Sequence, residues 1–122
     1  MASGFVVWTS SKAQYLYSES KGIFDEIEAD NYLADVKDDK KHFAKKLAYY
    51  QCELIALHPF YELNGRITRL YIDMLALYNG YKLIDYSSAI DNSAYIDASI
   101  ACVQYADSGL LEEIVYGGLA IR

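Results

Sequence analysis

The chain reads as a mainly α fold, and three observations predict it. Apolar residues recur at helical spacing through two long series, Phe43-Leu47-Tyr50-Leu54-Leu57 and Ile67-Leu70-Tyr71-Met74-Tyr78. A single proline interrupts 122 residues, so little forbids long helices. Hydrophobic residues make up 53% of the chain and aromatic ones 15%, enough to fill the core of one domain of this length. The expected architecture is one compact helical domain over residues 1–122 with a short N-terminal β-hairpin.

The elements follow in chain order. Phe5 to Thr9 and Gln14 to Tyr17 are short β-prone runs flanking Ser10-Ser11-Lys12-Ala13, which suits a hairpin over residues 5–17. Helices are expected over Ile23 to Val36, Lys41 to Leu57, Ile67 to Asn79, Ser93 to Tyr105 and Leu110 to Tyr116. Pro59 ends the second of these, because the residue before a proline disfavours the α region. Asn79-Gly80 supplies a stop, and Asp91-Asn92 a start. No internal repeat, low-complexity tract or linker divides the chain.

Charge and cysteine content narrow the function classes. A net charge of -6 and a pI near 4.7 argue against general nucleic-acid binding, which needs a basic footprint. Acidic residues concentrate from Glu19 to Asp39, and Lys40, Lys41, Lys45 and Lys46 follow as a basic cluster. That cluster is read as a solvated helix face, with docking of an acidic target as the lesser reading. Cys52 and Cys102 fall inside helical patterns and are expected to pack as small apolar residues, without a disulfide or zinc site. His42 lacks metal-like neighbours and is read as surface. No apolar run reaches membrane-spanning length, so a cytoplasmic location is the default, although an effector exported by a dedicated machine would need no leader.

The chemistry concentrates in His58-Pro59-Phe60-Tyr61-Glu62-Leu63-Asn64-Gly65-Arg66-Ile67-Thr68-Arg69. His58 stands at a helix exit and has the side chain whose unperturbed pKa suits proton abstraction near neutrality. Glu62 to Gly65 is expected to form a tight connection into the next helix, whose free N–H groups favour an anion. Arg66 and Arg69 lie three apart on the first turns of that helix, where positive charge opposes the macrodipole. Two such cations imply an anionic ligand, and their planar forks suit phosphate oxygens. Glu62 is a hard oxygen ligand of the kind Mg²⁺ takes together with phosphates. Taken singly, His58 could cap a helix, Glu62 could be solvated, and the arginines could pair with local acids such as Asp73. Phe60 reads as a core anchor and Tyr61 as exposed loop.

This string resembles the signature of Fic-domain proteins, H-P-F-x-[D/E]-G-N-G-R-x-x-R, and agrees at every specified position except Leu63, where the family usually has glycine. The resemblance extends over residues 41–81, as the helix, signature loop and helix of a Fic core, and over 93–119 as its closing helices. It implies that His58 is the general base toward a target hydroxyl and that Glu62 holds Mg²⁺. It also implies that Leu63, Asn64 and Gly65 form the α-phosphate cradle, with Arg66 and Arg69 on the β- and γ-phosphates. The implied reaction is AMPylation, the transfer of AMP from ATP to a Ser, Thr or Tyr hydroxyl of a target protein.

Leucine at position 63 would resist positive φ and close ligand approach. That keeps open a Fic-scaffold phosphotransferase or phosphocholine-type transferase, and a non-catalytic nucleotide- or protein-binding module. By the same resemblance, the hairpin over Val6 to Tyr17 would be the flap that aligns a target segment by strand addition; its plainer reading is a hairpin that only covers the core. Ser108 to Glu112 supplies the S-x-x-x-E of the family's inhibitory helix, but Glu113 follows where Gly or Asn is expected, and the match is read as chance. Little precedes the flap, so the expectation is either that the chain is free of that brake or that a separate antitoxin-like partner or a homodimer contact restrains it.

Overall fold

In the computed structural model, residues 20–57 and 62–121 are described, with side chains from Thr68 onward in the second stretch. The expected hairpin over 5–17 lies outside the described residues. Helix α1 covers residues 20–29 and turns Ile23 and Ile27 into the core. It does not continue to Val36 as its spacing suggests. The chain enters the left-handed region at Asn31, Tyr32 and Leu33 (φ 54°, 51° and 68°) and proceeds as a 3₁₀ segment, Asn31–Val36. Left-handed backbone costs roughly 1–2 kcal/mol at a residue with a Cβ. Leu33 is almost wholly buried, which offsets the cost at about one of the three residues. The Asn79 side-chain amide also donates to the Tyr32 carbonyl at 2.8 Å, holding the bend against the end of another helix.

Helix α2, Lys40–Leu57, is the axis of the molecule and packs against the 3₁₀ segment, α3 (Glu62–Tyr78), α5 (Ala94–Tyr105) and α6 (Gly109–Gly118). Asp39 starts it: its carboxylate accepts from the His42 N–H at 3.2 Å, satisfying one of the orphan donors of a helix N-terminus. Phe43, Leu47, Tyr50 and Leu54 are buried as their spacing predicts. The Tyr81 ring stacks on Phe43 at 4.7 Å, and its hydroxyl donates to the Lys37 carbonyl at 2.7 Å. The basic cluster divides: Lys46 pairs with Asp30 at 2.8 Å, and Lys40 lies 4.6 Å from the centre of the Tyr116 ring. His42 is exposed, as expected.

Helix α3 begins at Glu62, five residues before the expected Ile67. Glu62 to Gly65 is therefore helical backbone and not a tight connection, a correction that bears on Leu63 below. Its inward face also differs from the expected series: Thr68, Ile72, Leu75 and Ala76 are buried, whereas Leu70, Met74 and Tyr78 face outward. The helix stops where Asn79-Gly80 predicts, with Gly80 at φ +90°.

Helix α4, Ser87–Asp91, is too short to leave a periodic signal and was not expected. The Asp85 carboxylate organises its entry by accepting from both the Ser87 hydroxyl and the Ser87 N–H, at 2.6 and 2.9 Å. Those two bonds hold the Asp85 carboxyl below its ordinary pKa. In the Asp91-Asn92 start, Asn92 Oδ1 accepts from the Ala94 N–H at 3.0 Å. Cys52 on α2 and Cys102 on α5 are joined as a disulfide, with Cα atoms 5.3 Å apart, which corrects the expectation of two separate thiols. Facing helices bring them together across 50 residues, a proximity that two cysteines in a sequence do not announce. After α6 the chain runs back along residues 81–85, with an antiparallel bridge between Tyr81 and Ile121. Among the described residues no helix is long and apolar enough to cross a membrane.

Candidate active site

The junction between α2 and α3 carries the signature. α2 runs to Leu57 and α3 opens at Glu62, so His58, Pro59, Phe60 and Tyr61 connect them, outside the described residues. Glu62, Leu63, Asn64, Gly65 and Arg66 supply the backbone of the first turns of α3. The first four N–H groups of a helix have no intrahelical acceptor. In α3 those groups belong to the stretch the sequence assigns to phosphate.

Arg69 shows how a cation is held near such a site. It follows Arg66 by three residues in the sequence and is partly buried. Its guanidinium carbon lies over the Tyr95 ring, 5.2 Å from the centroid. Among the described residues the ion pairs within 4 Å are Lys21 with Asp25 and Lys46 with Asp30; neither involves Arg69. The plainer pairing of this arginine with Asp73 is therefore not formed. Asp73 Oδ1 accepts instead from the Ile84 N–H at 3.0 Å. Burial pushes the Asp73 carboxyl above its ordinary pKa, while that N–H and the charge of Arg69 pull it back down.

Behind Tyr95 stands a buried polar network. Gln51 on α2 is fully buried; its Nε2 donates to the Tyr95 hydroxyl at 3.1 Å, and its Oε1 accepts from the Tyr86 hydroxyl at 3.3 Å. The Tyr86 and Tyr95 rings meet edge to face with centroids 5.5 Å apart. Burial drives the Tyr86 hydroxyl far above its ordinary pKa, so it stays a neutral donor. Sequence reasoning missed Tyr95 because it is one of thirteen tyrosines, and nothing in its neighbours links α5 to the signature.

A groove of about 850 Å³ lies elsewhere, lined from the N-terminal half of α2 by Lys41, His42, Lys45 and Lys46 together with Glu26 and Glu112. Among the described signature residues, neither Thr68 nor Arg69 is among its lining. Glu112, the acid of the S-x-x-x-E match, lines this groove.

The family model of the Fic/DOC family matches residues 7–76, a span that contains α1, α2, the signature and most of α3. The chain belongs to the Fic/DOC family. Among curated relatives, this Fic domain is 34% identical over 87 residues to a probable protein adenylyltransferase of Sinorhizobium fredii, covering 71% of this chain and 44% of that protein. It is 33% identical over 69 residues to the probable protein adenylyltransferase Fic of Escherichia coli, covering 57% and 34%. Among solved structures, the VirB-translocated effector protein BepC from Bartonella tribocorum, with bound AMPPNP, superposes with a TM-score of 0.75 at 23% identity, over 88% of this chain and 49% of that one. An N-terminal Fic domain from Bartonella quintana with bound ADP gives 0.75 at 26% identity, over 88% and 48%. The chain thus spans less than half the length of these relatives.

Proposed function

We propose that this Fic domain is a protein adenylyltransferase, moving AMP from ATP to a Ser, Thr or Tyr hydroxyl of a target protein. The observation that carries the reading is the signature sequence itself, whose second arginine, Arg69, is set on an aromatic face. Support comes from relatives named as probable protein adenylyltransferases and from the Bartonella quintana neighbour, which holds ADP.

Each residue then has a task. His58 takes the proton of the target hydroxyl as its oxygen attacks the α-phosphorus. The bond from that phosphorus to the bridging oxygen breaks, and pyrophosphate leaves. Leu63, Asn64 and Gly65 form the α-phosphate cradle with the free N–H groups opening α3. Arg66 and Arg69 hold the β- and γ-phosphates in the fork geometry that guanidinium groups provide. One carboxylate at a helix start suits Mg²⁺, which takes few protein ligands beside phosphate oxygens; Glu62 would hold it, and the ion would neutralise charge on the triphosphate. The target segment would pair with the hairpin expected from the sequence over 5–17, with an antitoxin-like partner or a second copy as the restraint, and the cytoplasm as the compartment. Leu63 favours a second reading, the same scaffold moving another phosphate-containing group.

Intact-protein mass spectrometry after incubation with Mg²⁺ and ATP, with His58→Ala alongside, tests the proposal. An AMP adduct that disappears in the variant is the expected result. A phosphate adduct would select the second reading, and full AMP labelling of His58→Ala would remove His58 from its role.

A further inference from the structure

We infer that Tyr95 is a positioning residue for the Arg69 guanidinium, fixing the second signature arginine for the terminal phosphates of the nucleotide. The inference rests on the transferase reading and names a residue outside the signature. Arginine has a long, flexible side chain, and ordering it on ligand binding costs affinity. Here a ring already lies beneath it at 5.2 Å, within the distance at which a cation is attracted to an aromatic face. That face carries no acceptor oxygen, so it restrains the guanidinium without consuming the N–H donors that phosphate needs. A carboxylate in the same place would compete with the ligand for them.

The ring is itself fixed. Gln51 Nε2 holds the Tyr95 hydroxyl at 3.1 Å. The Tyr86 ring meets that of Tyr95 at 84°. The Tyr95 carbonyl accepts from the Ser99 hydroxyl at 2.9 Å, anchoring the first turn of α5. Asp73, one helical turn beyond Arg69, is kept at longer range by its bond from the Ile84 N–H. Arg69 therefore meets an incoming phosphate from a prepared position, set by residues of α2, α4's entry and α5.

Binding of ATP and AMP to the purified chain, by titration calorimetry, tests this in wild type, Tyr95→Phe, Tyr95→Leu, Arg69→Ala and the Tyr95→Leu/Arg69→Ala double variant. Tyr95→Leu should weaken ATP about tenfold, the scale of a desolvated cation–aromatic contact, with AMP affinity unchanged. Tyr95→Phe keeps the ring and should stay within about threefold of wild type for ATP. In the Arg69→Ala background, Tyr95→Leu should add nothing, because the contact it removes is already gone. Equal loss for ATP and AMP, or a full effect of Tyr95→Leu without Arg69, would overturn the inference and leave Tyr95 a core residue. If Tyr95→Leu does not fold, the Arg69 side-chain proton resonances of wild type decide: ring-current shifts toward high field support the contact, and ordinary positions overturn it. A wild type that binds no nucleotide would overturn the transferase reading, and this inference with it. A wild type that binds ATP as tightly as Tyr95→Leu does would overturn the inference alone.

Discussion

Gly118 and Asp85 approach backbone to backbone: the Asp85 N–H donates to the Gly118 carbonyl at 3.0 Å, and a Cβ at Gly118 would meet the Asp85 backbone at its carbonyl oxygen, with the carbonyl carbon and the nitrogen at 3.0 Å. This contact closes the end of α6 onto the segment leading into α4. Backbone cannot swing away as a side chain can, so Gly118→Ala should cost about 1–3 kcal/mol, the usual range for overpacking. Gly117 has no atom within 4 Å of its would-be Cβ and lies in the same helix, so Gly117→Ala should gain a few tenths of a kcal/mol from helix propensity. Thermal melts of the two variants should move in opposite directions.

The Cys52–Cys102 link joins α2 to α5 across 50 residues. Closing a loop of that length restricts the unfolded chain by about 4 kcal/mol in the chain-entropy account. Denaturant unfolding with and without a reductant should therefore differ by a few kcal/mol in wild type and by nothing in a Cys52→Ala/Cys102→Ala variant. In a reducing compartment the pair would stand as two buried thiols, and the reduced protein is then the relevant one. An unchanged midpoint on reduction of wild type would show that the link contributes no stability.

Asp73 gives the fold a predictable pH response. Burial raises its pKa against the opposing Ile84 N–H and Arg69 charge, so the folded state binds this proton more tightly than the unfolded chain does. The associated stability is fully present below the ordinary carboxylate pKa and is lost as pH rises through the raised value. Asp73→Asn keeps an acceptor oxygen for Ile84 and carries no charge. It should raise the melting temperature by about 1–3 °C at pH 7, a small gain because the group is only partly buried. The gap from wild type should close as pH falls below the carboxylate range. A less stable variant at pH 7 would mean that attraction to Arg69 outweighs the burial cost.

Legibility in the sequence follows the range of the interactions. The α2 register was readable because one face is apolar for its whole length, and Asn79-Gly80 marked a stop by local chemistry. The signature was readable because its residues are contiguous. Local pattern did not give the inward face of α3, since apolar residues lie on two sides and only contact with α2 chooses Ile72 and Leu75 over Leu70 and Met74. Neither did it give the left-handed turn at Asn31 to Leu33, which has no glycine and is held by Asn79, 47 residues from Tyr32. Tyr95 and Cys102 belong with these, because their partners sit on distant helices.

Leu63 is where sequence and structure pull apart. In the family signature position 63 is usually a turn glycine, so a leucine strained there predicts that Leu63→Gly raises AMP transfer. Yet position 63 lies within helix α3, where leucine is a good helix former and glycine costs up to about 1 kcal/mol. The backbone thus makes no demand for glycine, and any conflict with nucleotide must come from side-chain bulk. Leu63→Ala removes the bulk and keeps the helix, so it should raise labelling at least as much as Leu63→Gly. Leu63→Gly alone should lower the melting temperature, by about 2–5 °C. Mass-spectrometric labelling and a thermal melt of both variants check this. A gain confined to Leu63→Gly, with its stability intact, would show that the loop needs backbone freedom after all.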